Sequence, residues 1–405
     1  MMAILSAERP RAAAPAATRA WFPVAAAMFA IAWGGNEFTP LLVMYKLHGL
    51  APTSVDLLLF YYVFGIVPAM LIGGPLSDRF GRRALMLPAA PVAAAGSLLL
   101  AAGAASVPML AAGRLLSGLA LGLAMAVGGS WLKELSAAPF GAAAPGAGAR
   151  RSAMSLTGGF AVGAVVAGTL AQWGPLPNSS AYLINALLCV ATTVGLARIP
   201  ETVTARAAGP ARRARLAPAG LRRFLCVALP VALWLFTANA TAYAVLPTLM
   251  MSRVTEAPIA FSALVCMVTL GCGFAIQSAA RRIDRPGTAR AAVIALVLLT
   301  LGMLLAAATA AGLSIPLTLA AAATLGCGYG IGLVAGLQQI ERIAPEGRLA
   351  QLTGVFYSVS YLGFGVPALL SALHTHAGFG YPAMYLVAAL VAAACLALVA
   401  ANYRE

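Results

Sequence analysis

Charge is what this sequence has least of. Of 405 residues only 9% are Asp, Glu, Lys or Arg, where a water-soluble chain carries about a quarter. That excludes a soluble globule. Acid is scarcer still: 11 Asp and Glu stand against 26 Lys and Arg, a formal charge of +15. Such an excess would suit nucleic acid if it formed a basic face with interleaved aromatics. The arginines instead sit in short clusters between apolar runs, so no nucleic-acid partner is expected. Histidine is down to three, His48, His374 and His376, all outside the apolar runs. His374-x-His376 falls in the expected last outer loop, and two imidazoles without a third ligand describe surface residues rather than a metal site. The six cysteines (Cys189, Cys226, Cys266, Cys272, Cys327, Cys395) form no C-x-x-C pair and read as small buried hydrophobes. No phosphate-binding glycine motif is present, which speaks against ATP drive; no cofactor and no metal are expected. Arg9, Arg11 and Arg19 lie among alanine and proline at the start. The apolar run after them is too long, and too interrupted by Asn36 and Glu37, for a cleaved signal peptide.

What fills the chain is apolar: 61% of residues, with a mean hydropathy of +0.91. A span of about 20 apolar residues crosses the hydrocarbon core as a helix, since lipid offers free backbone groups no partner. Twelve such runs are expected, at Phe22–Tyr45, Val55–Leu76, Ala84–Ala105, Pro108–Trp131, Ala153–Trp173 and Ala181–Ile199. The second six are Phe224–Met250, Ile259–Ala280, Ala291–Ala311, Ile315–Ile340, Leu349–Leu373 and Phe379–Ala401. The chain then divides into an N-terminal tail (1–21), a six-helix bundle (22–199), a basic linker rich in Ala, Pro and Gly (200–223), a second bundle (224–401) and a short C-terminus (402–405). With the N-terminus inside, all 26 basic residues but Lys46, Arg114 and Arg253 fall in cytoplasmic segments. One missed helix would invert every later loop, so the asymmetry supports both the helix count and cytoplasmic termini.

One stretch between the second and third runs is distinctive: Gly74-Pro-Leu-Ser-Asp78-Arg79-Phe-Gly81-Arg82-Arg83. A positive-inside anchor would need the arginines, but not Gly, Asp and Arg in this order. Half a chain later Asp78-Arg79-x-Gly81 recurs as Asp284-Arg285-x-Gly287, and Lys133-Glu134 is echoed by Glu341-Arg342. An internal duplication with a six-helix period is a feature of membrane transporters.

On these residues the chain resembles the major facilitator superfamily (MFS). The stretch matches the G-x-L-x-D-R-x-G-R-R signature of the family's second loop, and Asp284-Arg285-x-Gly287 is its faded copy. Arg114-Leu-Leu-Ser-Gly118 is similar to the family's R-x-x-x-G motif in the fourth helix, often tied to proton coupling. Pro200-Glu201-Thr202 resembles the ending common after its sixth helix. The fifth helix departs: it has Gly159, Gly163 and Gly168 but lacks the Gly-Pro typical of drug antiporters. The resemblance implies an all-α integral membrane protein, with twelve transmembrane helices in two pseudo-symmetric six-helix bundles around a central cavity. It also implies a cytoplasmic latch that ties the bundles together when the outer side is open. Gly74, Asp78, Arg79, Gly81, Arg82 and Arg83 fall to that latch, with Asp284, Arg285 and Gly287 in the second copy. Glu134, Arg151 and Glu201 are its expected partners; ordinary solvated helix ends are the competing account for these three.

Transport chemistry should lie inside the spans. Glu37 and Arg114 are the charged residues clearly within them, and each costs on the order of 3 kcal/mol or more at depth without a partner or water. At about 1.5 Å per residue they lie roughly 12 and 9 Å from the outer ends of their helices. They are therefore expected to face each other across the cavity, with Glu37 exchanging a proton and Arg114 modulating it; a permanent ion pair or a substrate-binding pair fits equally well. The half-chain offset puts Tyr243 opposite Glu37 and Asn239 one turn away on the same face. Pro40 and Pro247, at nearly matching positions, are placed to break both helices. Asn36, Asn239 and Tyr243 are candidate substrate contacts, followed by Tyr329, Gln338, Gln339, Tyr357 and Tyr361; interhelical hydrogen bonding is the alternative for the first three. The glycines of Gly326-Cys-Gly328-Tyr-Gly330-Ile-Gly332 are expected to permit close packing rather than binding.

The resulting expectation is a secondary transporter working by alternating access, not an enzyme. Its partners would be protons, the lipid bilayer and a small, moderately hydrophobic organic solute. Proton-coupled efflux by a monomer in a bacterial inner membrane is the first choice. Proton-coupled uptake of a metabolite is the runner-up, and an integral-membrane enzyme the remote alternative, with no histidine or metal cluster inside the spans to support it.

Overall fold

The computed structural model describes residues 19–144, 146–203, 216–285, 287–345 and 348–404. The tail before residue 19, the 204–215 stretch of the basic linker and Glu405 lie outside the described residues. Among the described residues there is no β-strand, only an isolated bridge between Thr288 and Arg404. Helices follow one another as α1 (21–47), α2 (Pro52–Phe80), α3 (Arg82–Ala102), α4 (Val107–Ser136), α5 (Ala147–Trp173) and α6 (Ser180–Leu196). Then come α7 (Pro218–Ser252), α8 (Pro258–Ile283), α9 (Arg290–Gly312), α10 (Ile315–Ile343), α11 (Gln351–Ala377) and α12 (Tyr381–Ala401). Ten are long and apolar enough to cross a membrane. The other two are α6, with 17 residues, and α1, which breaks at Glu37 into Trp21–Asn36 and Phe38–Leu47.

Several helices outrun their apolar runs, and this corrects the expected loops. The Gly74–Arg83 stretch is not a loop: α2 continues helical through Asp78 and Arg79 to Phe80, Gly81 alone turns the chain, and α3 starts at Arg82. A helix of 29 residues is about 43 Å long, more than the roughly 30 Å of hydrocarbon it must cross, so its end projects past the lipid. Likewise Arg150 and Arg151 sit in the first turns of α5. His374 and His376 lie in the last turn of α11 rather than in a loop; His374 Nδ1 is 2.9 Å from the Phe379 carbonyl.

The two sets of six helices pack alike. In the first, α2 lies along α4, α3 against α4 and α6, and α1 against α5 and α6; in the second, α8 lies along α10, α9 against α10 and α12, and α7 against α11 and α12. Small residues allow the closest of these contacts. A Cβ on Gly118 of α4 would come within 2.1 Å of the Tyr62 carbonyl of α2, and one on Gly330 of α10 within 2.1 Å of the Gly273 carbonyl of α8. Gly326 and Gly330 of α10 therefore pack against the backbone of α8, whereas Gly328 and Gly332 make room for side chains of α9 and α7. Between the halves, α2 meets α11, α5 meets α8, and α1 meets α7 and α8.

Candidate transport site and the Gly81 turn

The irregularities of α1 and α7 sit beside their prolines. Pro40 has no N–H to bond the Asn36 carbonyl, and α1 breaks one residue further on, at Glu37. Pro247 cannot bond the Tyr243 carbonyl, and α7 widens into a π-turn at Thr241–Val245. Both breaks lie where the halves face each other. Asn36 donates to the Phe160 carbonyl of α5 at 3.0 Å and to Cys266 Sγ of α8 at 3.4 Å, and it accepts from Thr39 at 2.8 Å.

Glu37 does not face Arg114 as expected. Its side chain is 0% exposed and turns into the first half, where Ser97 of α3 donates to Oε1 at 3.3 Å. Ser97 lies 2.8 Å from Asn185 Oδ1 of α6, and Asn185 donates to the Ala30 carbonyl. Glu37 Oε2 has no hydrogen-bond partner. Arg114 is 2% exposed and forms no ion pair among the described residues. Its guanidinium stacks between the Phe38 ring at 4.6 Å and the Tyr62 ring at 4.3 Å, a desolvated arrangement worth about 2 kcal/mol. Nη1 reaches the Gly35 carbonyl at 3.4 Å, while Nε is unpartnered. Carboxylate and guanidinium are thus electrostatic neighbours without contact.

The substrate candidates divide in the same way. Tyr329 and Tyr361 meet through Phe236 of α7, which stacks on Tyr361 at 4.2 Å and on Phe364 at 5.0 Å and lies 5.9 Å from Tyr329. Tyr62 of the first half joins edge-on to Tyr361 and Phe364, and Tyr357 flanks Tyr361. Tyr243 is buried beside Arg114 and Cys266, and Asn239 is buried with Oδ1 unpartnered. Gln338 has an unpartnered Oε1 and makes no bond to the aromatic group. Gln339 belongs elsewhere: it accepts from Arg223 Nε at 3.2 Å and donates to the Thr288 carbonyl at 3.1 Å, fastening the start of α7 to the α8–α9 turn. Phe236 and Phe364, central to the ring cluster, escaped the sequence reading because a Phe inside an apolar helix carries no signal of which way it faces.

At the Gly81 turn the structure gathers residues from three motifs. Arg82 pairs with Asp78 at 2.6 Å and with Glu134 of α4 at 3.0 Å, and also donates to Ser77. Glu201, just after α6, accepts from four backbone N–H groups: Arg82 and Arg83 at 2.9 Å each, Thr202 at 2.9 Å and Val203 at 3.0 Å. Partial burial pushes the Glu201 carboxyl up, but those four donors together outweigh it and hold the group below its usual range. Glu201 thereby caps the N-terminus of α3, whose first amides have no partner of their own. Thr202 bonds Glu134, and Arg83 bonds the Ala197 carbonyl. Gly74 accepts from Ser77, and Arg79 lies over the Phe80 ring. Arg151 stands apart, bonding Ser136 at 2.9 Å and stacking 3.9 Å over Trp21. In the second copy Asp284 pairs with Arg342 of α10, while Arg285 contributes its carbonyl to Thr288. Among the described residues, every bond just named stays within one half, so here the cluster braces a bundle rather than tying two together.

Sequence comparison agrees with this architecture. The Major Facilitator Superfamily profile matches residues 24–366, and the chain belongs to that family. No curated sequence is similar enough to match it. Among solved structures it resembles a POT family transporter in complex with 5-aminolevulinic acid (13% identity, 95% of this chain and 96% of that one, TM-score 0.74). It also resembles the nucleoside transporter NupG (13%, 94% and 99%, 0.72) and a D-xylose-proton symporter (15%, 92% and 96%, 0.65). At such identities the likeness shows the fold. The protein is a multi-pass membrane transporter, not an enzyme.

Proposed function

We propose that this protein is a proton-coupled secondary transporter that moves a small organic solute by alternating access, with Glu37 as the proton-exchanging group. The observation that carries this reading is a carboxylate at 0% exposure with one oxygen unpartnered, placed at the break of α1 and within the electrostatic influence of a guanidinium that it does not touch. A buried carboxylate without a paired cation is costly when charged, so its proton and Arg114 are energetically linked. Phe236, Tyr329, Tyr357, Tyr361 and Phe364, with Tyr62, offer an apolar, aromatic surface between the halves, which suits a moderately hydrophobic solute and efflux by proton antiport. Uptake by symport is the second reading, favoured by the likeness to a D-xylose-proton symporter. In either case the basic residues of the Gly81 turn support a cytoplasmic position for that end of the molecule and for both termini, in keeping with a bacterial inner membrane as the proposed setting.

The test uses inverted vesicles and a compound picked by a retention screen of an overexpressing strain. Glu37→Gln should abolish transport driven by an imposed pH gradient and leave counterflow exchange intact. Loss of both activities would assign Glu37 to folding or solute binding; wild-type indifference to the gradient would remove proton coupling. The sign of the gradient that drives accumulation separates antiport from symport.

A further inference from the structure

The end of the molecule away from the Gly81 turn holds a buried ion pair that plays no part in the sites above. Lys46, in the last turn of the Phe38–Leu47 segment, donates to Asp56 Oδ1 at 2.6 Å, and both side chains are 5% exposed. Both residues belong to the first half, so the pair alone ties nothing across the interface. Its remaining contacts do. Lys46 Nζ also donates to Thr248 Oγ1 of α7 at 3.1 Å. Asp56 faces Ser371 of α11, whose hydroxyl is 3.2 Å from that of Thr53 in α2. One half thus supplies two opposite charges, and the other supplies a hydroxyl bonded to the lysine and a second hydroxyl beside the aspartate.

A second contact at the same end reports on whether the halves touch. Gln172 of α5 accepts from the Ile259 N–H at 3.0 Å and the Ala260 N–H at 3.3 Å, and it donates to the Glu256 carbonyl at 3.3 Å. These are first-turn amides of α8, which have no acceptor in their own helix. They are hydrogen-bonded to Gln172 only while the two halves are together.

We propose that the Lys46–Asp56 pair is the clasp that holds the two halves together at this end. A buried pair offsets the cost of leaving water only when its geometry is good and its spare donors and acceptors are satisfied. Thr248 and Ser371 meet that condition in the closed arrangement, and parting the halves exchanges them for water. Removing one partner has a different effect from removing both. A lone charge left buried lacks both partner and water and so favours parted halves, where it is hydrated, whereas two apolar replacements leave no charge to hydrate.

Hydrogen exchange of the full chain in detergent, read on the peptide that starts α8, tests this. Lys46→Met and Asp56→Asn should each speed exchange of the Ile259 and Ala260 amides by roughly ten-fold or more, although neither residue bonds those amides. The double variant Lys46→Met with Asp56→Leu should return them to the wild-type rate. Thr248→Val with Ser371→Ala, which leaves the ion pair whole, should give a smaller rise of about three-fold. Unchanged exchange in the single variants, or a double variant as fast as the singles, would mean that the pair merely fastens α1 to α2. Should a single variant fail to fold, the hydroxyl variant decides: exchange at the wild-type rate there overturns the clasp.

Discussion

Gly81 and Gly287 hold equivalent places in the two halves, each turning the chain from one helix to the next at a positive φ, +100° and +76°. Their surroundings differ. A Cβ at Gly81 would stand 2.3 Å from Glu201 Oε2, whereas nothing lies within 4 Å of one at Gly287. The first turn is fastened by side chains, with Glu201 capping α3 and Arg82 holding Asp78 and Glu134. The second uses its backbone as well: the Ala289 N–H bonds the Tyr403 carbonyl at 2.8 Å and Gln339 holds the Thr288 carbonyl, beside the Asp284–Arg342 pair. In both, the chain just past the sixth helix of the half supplies the fastener. The duplicated turn has kept its geometry while the chemistry holding it has diverged, which accounts for a faded second motif on an intact second fold.

Gly81→Ala should break this comparison most sharply. It demands a conformation at φ +100°, ψ 154° that is almost confined to glycine, and it displaces the Glu201 carboxylate from the amides it caps. A loss of about 3 kcal/mol in unfolding experiments and a large drop in transport are expected. Gly287→Ala meets strain alone, and about 1 kcal/mol is expected. Equal effects would show that Glu201 contributes nothing.

Glu201→Gln comes between them, at about 2 kcal/mol, because it weakens hydrogen bonds to a charged acceptor without removing the side chain. It also has a pH signature. A carboxyl held below its usual range stabilises the fold above the unfolded value, near 4.3, and loses that contribution as pH falls through the folded value. The wild type should therefore loosen at the Gly81 turn as the medium is acidified from about pH 5. The Gln variant should be looser at neutral pH and change less, as hydrogen exchange of residues 82–86 would record.

Much of the fold was legible because lipid leaves the chain few options: apolar runs of membrane length must be helices, and the asymmetry of the arginines supports a count of twelve. The Gly81 network was legible as a motif: Glu134 and Glu201 lie within it, while Arg151 bonds Ser136 instead. Rotation about a helix axis was not legible. α1 is apolar on every face, so nothing in its pattern tells whether Glu37 turns toward α4 or toward Ser97 of α3, and the break beside Pro40 shifts the register again. Asp56 was overlooked and Lys46 assigned to an outer loop for a related reason. Each looks like a helix-end residue at the water boundary, and their pairing depends on how α1 and α2 fold back on each other. A lysine in the last turn of one span with an aspartate near the start of the next was the signal available.

The smallest effect sharpens the comparison furthest. Asp78 and Asp284 are matched by sequence, and each pairs with an arginine, but with different ones. Asp78 bonds Arg82 of its own turn and is 68% exposed, while Asp284 bonds Arg342 at the end of α10. Exposed ion pairs contribute little, so Asp78→Asn should cost under about 1 kcal/mol; the Asp284 side chain is only 3% exposed, and Asp284→Asn should cost more, about 2 kcal/mol. The arginines should separate the halves in the opposite order. Arg82→Ala strips a partner from Glu134, Asp78 and Ser77 at once, whereas Arg342→Ala strips one carboxylate. A double-mutant cycle of Arg82 with Glu134 should therefore show a larger coupling than one of Arg342 with Asp284. Equal couplings would place the two turns under the same electrostatic control and leave the Glu201 cap to account for the sensitivity of the first.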